Sequence, residues 1–311
     1  MVSCPALKQL SDSAWAWVHD RPDWGYGNSG VVASDHQGVL VDTQFTLAAT
    51  RDLLDAVAAE LPGTTVSTVV NSHANGDHTW GNQLLPGAEI ITSASSAQHA
   101  CHEMGPGQLT ALCRAGGSTP AGSYIERHFG QFNFAGITVT GPTRTFAGRL
   151  EVEVGHTLAE LIDLGAGHSA GDVAVHIPED GVVFAGDALF NGSHMVVWSQ
   201  SLSACVMACE QLLATGADTF VPGHGPVIGR SGVADIRDRL AAVAEAADRH
   251  AQAGVPLADA ARLVMADHAG NWAHPERLFT QTAAAYAEAG VPGLPSGTLA
   301  LVEGMAVLAS A

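Results

Sequence analysis

Lysine is almost missing from this chain. Lys8 stands alone, and Lys and Arg together number 13 against 31 Asp and Glu, a formal charge of −18 over 311 residues. A surface that acidic repels phosphate backbones, so general nucleic-acid binding is excluded. Charged residues are also scarce, at 14%, while hydrophobic ones reach 47%, which excludes a disordered chain. No apolar run is long enough to span a bilayer, so no membrane partner is expected. Met1 to Asp20 lacks a basic stretch followed by an apolar one, so no export signal is read and a cytoplasmic location is expected. Cysteine is odd in number: Cys4, Cys101, Cys113, Cys205 and Cys209. Without an export signal, that count excludes a disulfide framework. Cys205 and Cys209 share one helix face and read as buried, reduced thiols. No repeat of fixed period and no long linker interrupt the chain.

What is present is a run of short apolar segments cut by glycine. Ala14 to Val18 reads as a strand. Val31 to Ala33 and Val39 to Val41 flank Asp35-His36-Gln37-Gly38, a hairpin signal. Thr46 to Leu61 has helical spacing and stops at Pro62-Gly63. Val66 to Val70 and Glu89 to Thr92 are strands. Residues from about Ser95 to Phe129 change character and read as two or three inserted helices. Ile137 to Thr140, Leu150 to Val154, Ala159 to Leu164, Val173 to Ile177 and Val182 to Ala185 read as strands. Ser203 to Ala214 is helical and Thr219 to Val221 is a last strand. Beyond Val233 the text is alanine-rich and helical: Ala234 to Ala253, Leu257 to Ala266 and Pro275 to Ala289. Strands and helices that alternate, with some hairpins, predict a layered α/β domain. The expected division is a domain over 1–232, with a helical insertion at about 95–130, and a helical extension over 233–311. That extension packs on the core or serves as a homodimer surface.

The chemistry collects at strand ends. His73-Ala74-Asn75-Gly76-Asp77-His78 follows Val66 to Val70 and sets two imidazoles and a carboxylate in a glycine-bearing loop, a set that suits zinc. Three more strands end alike, at Gly165-Ala166-Gly167-His168, at Gly186-Asp187 and at Pro222-Gly223-His224. A lone strand-end histidine is more often structural. Four such ends in order carry more weight.

On these residues the chain resembles the metallo-β-lactamase superfamily, whose pattern is His-x-His-x-Asp-His, then His, Asp after glycine, and His before glycine. The matches are His73, Asp77, His78, His168, Asp187 and His224, within roughly residues 14–230. The departures are Asn75 for a histidine and Ala-Gly-His-Ser around His168. The resemblance implies a four-layer αββα sandwich, an α/β (α+β) fold. It implies one metal site from His73, position 75 and His168, and another from Asp77, His78 and His224, with Asp187 bridging. The expected cofactor is zinc, one ion or two, with iron or manganese as alternatives. A water held there is acidified toward neutral pH and attacks a carbonyl polarised by the ions, with Asp77 in the catalytic set. Asn75 leaves three readings open: a weakened dinuclear site, a single ion in the second site, or loss of metal chemistry.

Around this centre, His194 is expected as a proton shuttle or substrate contact, and Asp172 as support for a ligand histidine. Trp80, Ser193, His194 and Trp198 are expected to line the substrate pocket. His99, His102 and His128 read as solvated. Phe129 to Ile137, Pro142 to Phe146, and Ala185 to Trp198 resemble a bacterial branch of polyketide cyclases and thioesterases. The expected activity is therefore a metal-dependent hydrolase or cyclase on a small acyl, carbonyl or thioester substrate, free or carrier-bound. Lactonase or glyoxalase-like hydrolysis, and a non-catalytic small-molecule binder, are the alternatives.

Overall fold

In the computed structural model, which describes residues 5–19 and 21–310, two sheets lie face to face. The first runs in spatial order β1 (Leu7–Gln9), β2 (Ala14–Trp17), β3 (Ser29–Ser34), β4 (Gln37–Val41), β5 (Thr65–Val70), β6 (Glu89–Ser93) and β7 (Arg144–Phe146). From β1 to β4 neighbours are antiparallel, and from β4 to β7 they are parallel. The β3–β4 turn falls on Asp35 and His36, with φ of 50° and 63°, the positive pair that a tight hairpin needs. The second sheet has β8 (Arg149–Val154), β9 (Thr157–Gly165), β10 (Asp172–Ile177), β11 (Val182–Phe190), β12 (Thr219–His224) and β13 (Ile228–Gly229). Its order is β13-β12-β11-β10-β9-β8, and only β11 and β12 are parallel.

The inner core is β-branched. Val32, Val39, Val41, Val70 and Ile91 of one sheet meet Val173, Val175 and Val221 of the other. Gly30 is what lets the Phe184 ring lie against β3, since a Cβ there would strike it. Helix α1 (Leu47–Glu60) covers the first sheet with Leu53 and Val57 on Val31, Leu40 and Val69. Thr46 caps it, its side chain accepting from Ala49 N at 3.1 Å. Leu53 is fully buried, so Leu53→Ala would cost about 2–5 kcal/mol.

Helix α2 (Gly76–Thr79) is a single turn after β5. The insertion between β6 and β7 holds α3 (Ala94–His99), α4 (Pro106–Ala115) and α5 (Pro120–Phe129). Helix α6 (Leu202–Ala214) crosses from β11 to β12. Then follow α7 (Arg230–Gln252), α8 (Leu257–His268), α9 (Leu278–Glu288) and α10 (Thr298–Leu308). Helix α7 packs on α6 and α9, and α10 packs on α5, so the C-terminal helices touch both the second sheet's cover and the insertion. Among the described residues no helix is long and apolar enough to cross a membrane.

The strand expected at Ile137 to Thr140 is irregular chain. Its backbone is satisfied by side chains instead of a ladder: Gln83 accepts from Thr138 N, and Asn82 Nδ2 donates to Thr140 O at 3.1 Å. The sheet edge goes to β7. The sequence reading also passed over β1, which is three residues long, and α10, which lies beyond the last helix it recognised. Cys4 lies outside the described residues. Cys205 and Cys209 are buried free thiols, and burial pushes Cys209 up to about 12.

Candidate metal centre

The donors are aimed by strand ends. β5 ends at Val70 and the loop carries His73, after which α2 carries Asp77 and His78, with Asn75 at its N-cap position. β11 runs through Asp187 and its parallel neighbour β12 ends on His224, so the two lie side by side. Gly223 makes this approach feasible, because a Cβ there would collide with Asp187 Oδ1.

Asp187 sits among four imidazoles. Its Oδ2 is 3.7 Å from His73 Nε2 and 3.3 Å from His168 Nε2. Its Oδ1 is 3.2 Å from His78 Nε2 and 3.5 Å from His224 Nε2. One carboxylate oxygen thus faces each half. Asp77 Oδ2 completes the second half, 3.5 Å from His224 Nε2 and 3.9 Å from His78 Nε2. Asn75 Oδ1 occupies the first, 3.0 Å from both His73 Nε2 and His168 Nε2. Its amide is oriented by the insertion, since Nδ2 donates to Glu103 Oε2 at 2.9 Å.

The far side of each ring fixes which nitrogen is free. His168 Nδ1 lies 2.8 Å from Val196 O, a pure acceptor, so Nδ1 carries the hydrogen. The Nε2 lone pair of a neutral His168 then points at two oxygens. His78 Nδ1 likewise lies 2.9 Å from the Asp42 carboxylate. Ser72 Oγ sits 2.7 Å from Asp42 and 3.0 Å from His73 Nδ1. Asp42 holds this cluster at φ 61°, strained for a non-glycine and typical of a functional position.

Lone pairs that converge in a buried space need a proton or a cation between them. His78 Nε2 and Asp187 Oδ1 are buried without a hydrogen-bond partner. Donors of His73, His168 and Asp187, and of Asp77, His78 and His224, lie within 4.8 Å of one another. A tetrahedral ion with ligands at about 2.0–2.1 Å spaces its donors by about 3.3–3.4 Å, which matches the separations above. The residues fit a zinc-class ion in either half, and iron and manganese accept the same donors. Burial opposes ionisation of His78, yet Asp187, Asp77 and Asp42 outweigh it and raise the imidazole well above its usual range. Burial likewise opposes the Asp187 charge, and the four histidines overcome it.

A cavity opens onto both halves, with about 840 Å³ of space between atoms, its mouth included. Trp80 and Trp198 line it, with Trp24, Phe45, Tyr124, Phe129 and Phe190. Arg277 lines it too. It is fully buried, stacks 4.0 Å over Trp24, and forms no ion pair among the described residues. Its Nε has no partner and its Nη1 donates to His194 O at 3.0 Å.

Ser193 and His194 do not line this cavity. After Asn191-Gly192 the chain bridges Ala273 at Ser193, which turns His194 toward the C-terminal helices. There His194 Nε2 pairs with Ala269 O at 2.9 Å. Asp172 supports no ligand histidine. It accepts from Ser169 Oγ at 2.5 Å and Ser169 N at 3.1 Å, closing the turn after His168. His128 is only partly exposed, being packed against Tyr124 and His274. Sequence reasoning missed Arg277, Trp24 and Glu103. A signal for Arg277 existed: it is the last basic residue of the chain and opens a run without charge until Glu288.

Comparison with known proteins agrees with this geometry. The metallo-beta-lactamase superfamily profile matches residues 22–224. A curated relative, 2,4-dinitroanisole O-demethylase subunit alpha from Nocardioides sp. (strain JS1661), is 26% identical over 201 residues, 64% of this chain and 50% of its own. The chain thus spans about half the length of that relative. Among solved structures, a metallo-beta-lactamase from Pontibacter korlensis has a TM-score of 0.58 at 19% identity, covering 76% of this chain and 99% of its own. The inverting sec-alkylsulfatase Pisa1 from Pseudomonas sp. reaches 0.69 at 17% identity, covering 91% of this chain and 50% of its own. These likenesses cover the sandwich and, with the matched profile, place the chain in the metallo-β-lactamase superfamily.

Proposed function

We propose that this protein is a metal-dependent hydrolase that cleaves an ester, thioester or lactone of a flat, largely aromatic substrate carrying an anionic or strongly electron-withdrawing group. One observation carries this reading: a single cavity is shared by both halves of the His/Asp centre, a cluster of aromatic rings and an arginine that forms no direct ion pair among the described residues. Rings such as Trp24, Phe45, Trp80 and Trp198 give flat apolar contact and exclude water. Among the described residues Arg277 is the one arginine or lysine lining the space, so it favours a substrate whose negative charge or acceptor oxygens lie beside it. An ion in the centre supplies Lewis acidity toward a carbonyl oxygen and lowers the pKa of a water. Asp187 and Asp77 hold the centre's charge in place, and Asp77 lies at the cavity wall, where it can accept a proton from an attacking water. The narrower reading is a polyketide thioesterase or cyclase, in which the same wall holds a β-keto thioester.

A second reading is hydrolytic removal of an O-alkyl group from an electron-poor aryl ether. The relative named an O-demethylase of 2,4-dinitroanisole favours it, and Arg277 suits nitro or other acceptor oxygens. The test is a turnover panel on the metal-loaded protein: aryl esters, aryl thioesters, a β-keto thioester, lactones, an aryl methyl ether, alkyl sulfates and simple alkyl esters. Aryl ester or thioester cleavage abolished by a chelator, with KM at least about tenfold higher in Arg277→Gln, supports the first reading. Cleavage of the aryl ether alone supports the second. Turnover of none of them by metal-replete protein overturns both.

A further inference from the structure

We propose that Asp23, His128 and His274 form a metal site separate from the main centre, which takes a divalent transition ion of the zinc class and clasps the cavity wall. The donors come from three distant parts of the chain: the segment between β2 and β3, the last turn of α5, and the residue before α9's leading 3-10 turn. They nevertheless converge. His274 Nε2 is 3.0 Å from Asp23 Oδ1, and His128 Nδ1 is 4.0 Å from the same oxygen. One donor atom from each lies within 4.8 Å of the others. Small shifts bring that set to the spacing of a tetrahedral ion with a fourth, solvent-filled position.

The remote side of His274 is built as ligand histidines are. Its Nδ1 lies 3.1 Å from Glu276 Oε1, and that oxygen also accepts from the Tyr124 hydroxyl at 2.7 Å. A carboxylate behind an imidazole fixes the tautomer and turns Nε2 outward as a donor to metal. The backbone at His274 is left-handed, φ 57°, and aims the ring at Asp23. Side chains of Asp23, His128 and His274 are each partly exposed, at 31%, 15% and 13%, so an ion can reach them from solvent. Asp23 and Glu276 together offset the nearby Arg277 charge.

The site would act on the cavity through Trp24. That ring follows Asp23 directly, lies 6.3 Å from both the His128 and His274 rings, and carries Arg277 at 4.0 Å. Its Nε1 donates to Tyr124 at 3.0 Å. An ion would therefore tie the N-terminal segment, the insertion and the C-terminal region at the wall where Trp24 and Arg277 meet the substrate space.

The test avoids the main centre. In an Asp187→Ala/His224→Ala background, Zn or Co(II) is added and metal is counted after gel filtration, with circular dichroism to verify folding. The expectation is about one ion per chain, a Co(II) d–d band of histidine–carboxylate type and a raised Tm. All three should vanish in the same background carrying His128→Ala, and again with Asp23→Asn, the second variant guarding against a folding defect in the first. No bound ion in a folded background, or a count that neither substitution changes, overturns the proposal and leaves His274 as a ring hydrogen-bonded between two carboxylates. Because the readout is metal in a protein without the main centre, it stands or falls apart from the hydrolase reading.

Discussion

The two halves of the main centre share Asp187 but differ in charge. The second half adds the Asp77 carboxylate, and its His78 is backed by the Asp42 carboxylate. The first half adds only the neutral Asn75, and its His168 is backed by a peptide carbonyl. A divalent ion is drawn to anionic donors and to imidazoles made more basic by a carboxylate behind them. The difference therefore orders the halves: the second fills first and holds its ion more tightly. The insertion partly compensates the first, because Glu103 orients the Asn75 oxygen toward both histidines and lends it negative charge.

The largest effect should come from removing what the halves share. Asp187→Ala should drop metal in both halves to near zero and abolish turnover, measured by elemental analysis on folded protein that also carries Asp23→Asn, so that an ion at the separate Asp23 site is not counted. If one ion survives with unchanged affinity, Asp187 does not bridge. Asp42→Asn should act on the second half, weakening its ion about 10- to 100-fold while the first changes little. Asparagine tolerates the left-handed backbone at this position, so the variant tests charge and not strain. A competition titration with a chromogenic chelator reads the two affinities separately, and equal loss in both would break the comparison. A smaller gain is expected from Asn75→His, which should raise first-half affinity roughly tenfold and narrow the gap between the halves. An unchanged gap would show that position 75 does not touch the ion.

How much of this was legible depended on locality. Every donor of the centre lies in a short, glycine-bearing stretch in or just after a strand, so a short window of sequence reveals it, and their order along the chain reveals the sandwich. What needs two distant segments stayed hidden. Arg277 reaches the cavity because α9, which follows it, is held to the segment after β11, Thr280 accepting from Val197 N and Gln281 donating to Met195 O, which no local pattern states. His194 was misplaced for the same reason, since its direction is set by a bridge between Ser193 and Ala273. His128 looked solvated because the Asp23 and His274 that enclose it lie far off in sequence. Asp42 was passed over because its role depends on an unusual φ and on Ser72 and His78, and its hairpin context signals only a strand.

The finest difference between the halves is one of protons. Burial holds the His168 imidazole down at about 3, while at His78 the three carboxylates overcome burial and hold it well above 6.5. In the metal-free protein His168 is thus neutral at pH 5 and His78 charged at pH 7. The linked stability runs in opposite directions. For His168 the unfolded chain gains a proton that the folded one refuses, so stability falls as pH drops from about 6.5 toward 3. For His78 the folded chain keeps a proton that the unfolded one gives up. Its contribution is complete below about 6.5 and is lost as pH rises through the folded value. Metal entering the second half at neutral pH must expel that proton, whereas metal entering the first expels none from His168. Imidazole ¹⁵N chemical shifts of the metal-free protein, followed from pH 4 to 9, read both rings directly. Calorimetric titration with zinc in two buffers of different ionisation enthalpy should then show proton release with the tighter phase only. If both rings titrate together near 6.5, or if both phases release alike, the halves are electrostatically equivalent and the neutral Asn75 is not what sets them apart.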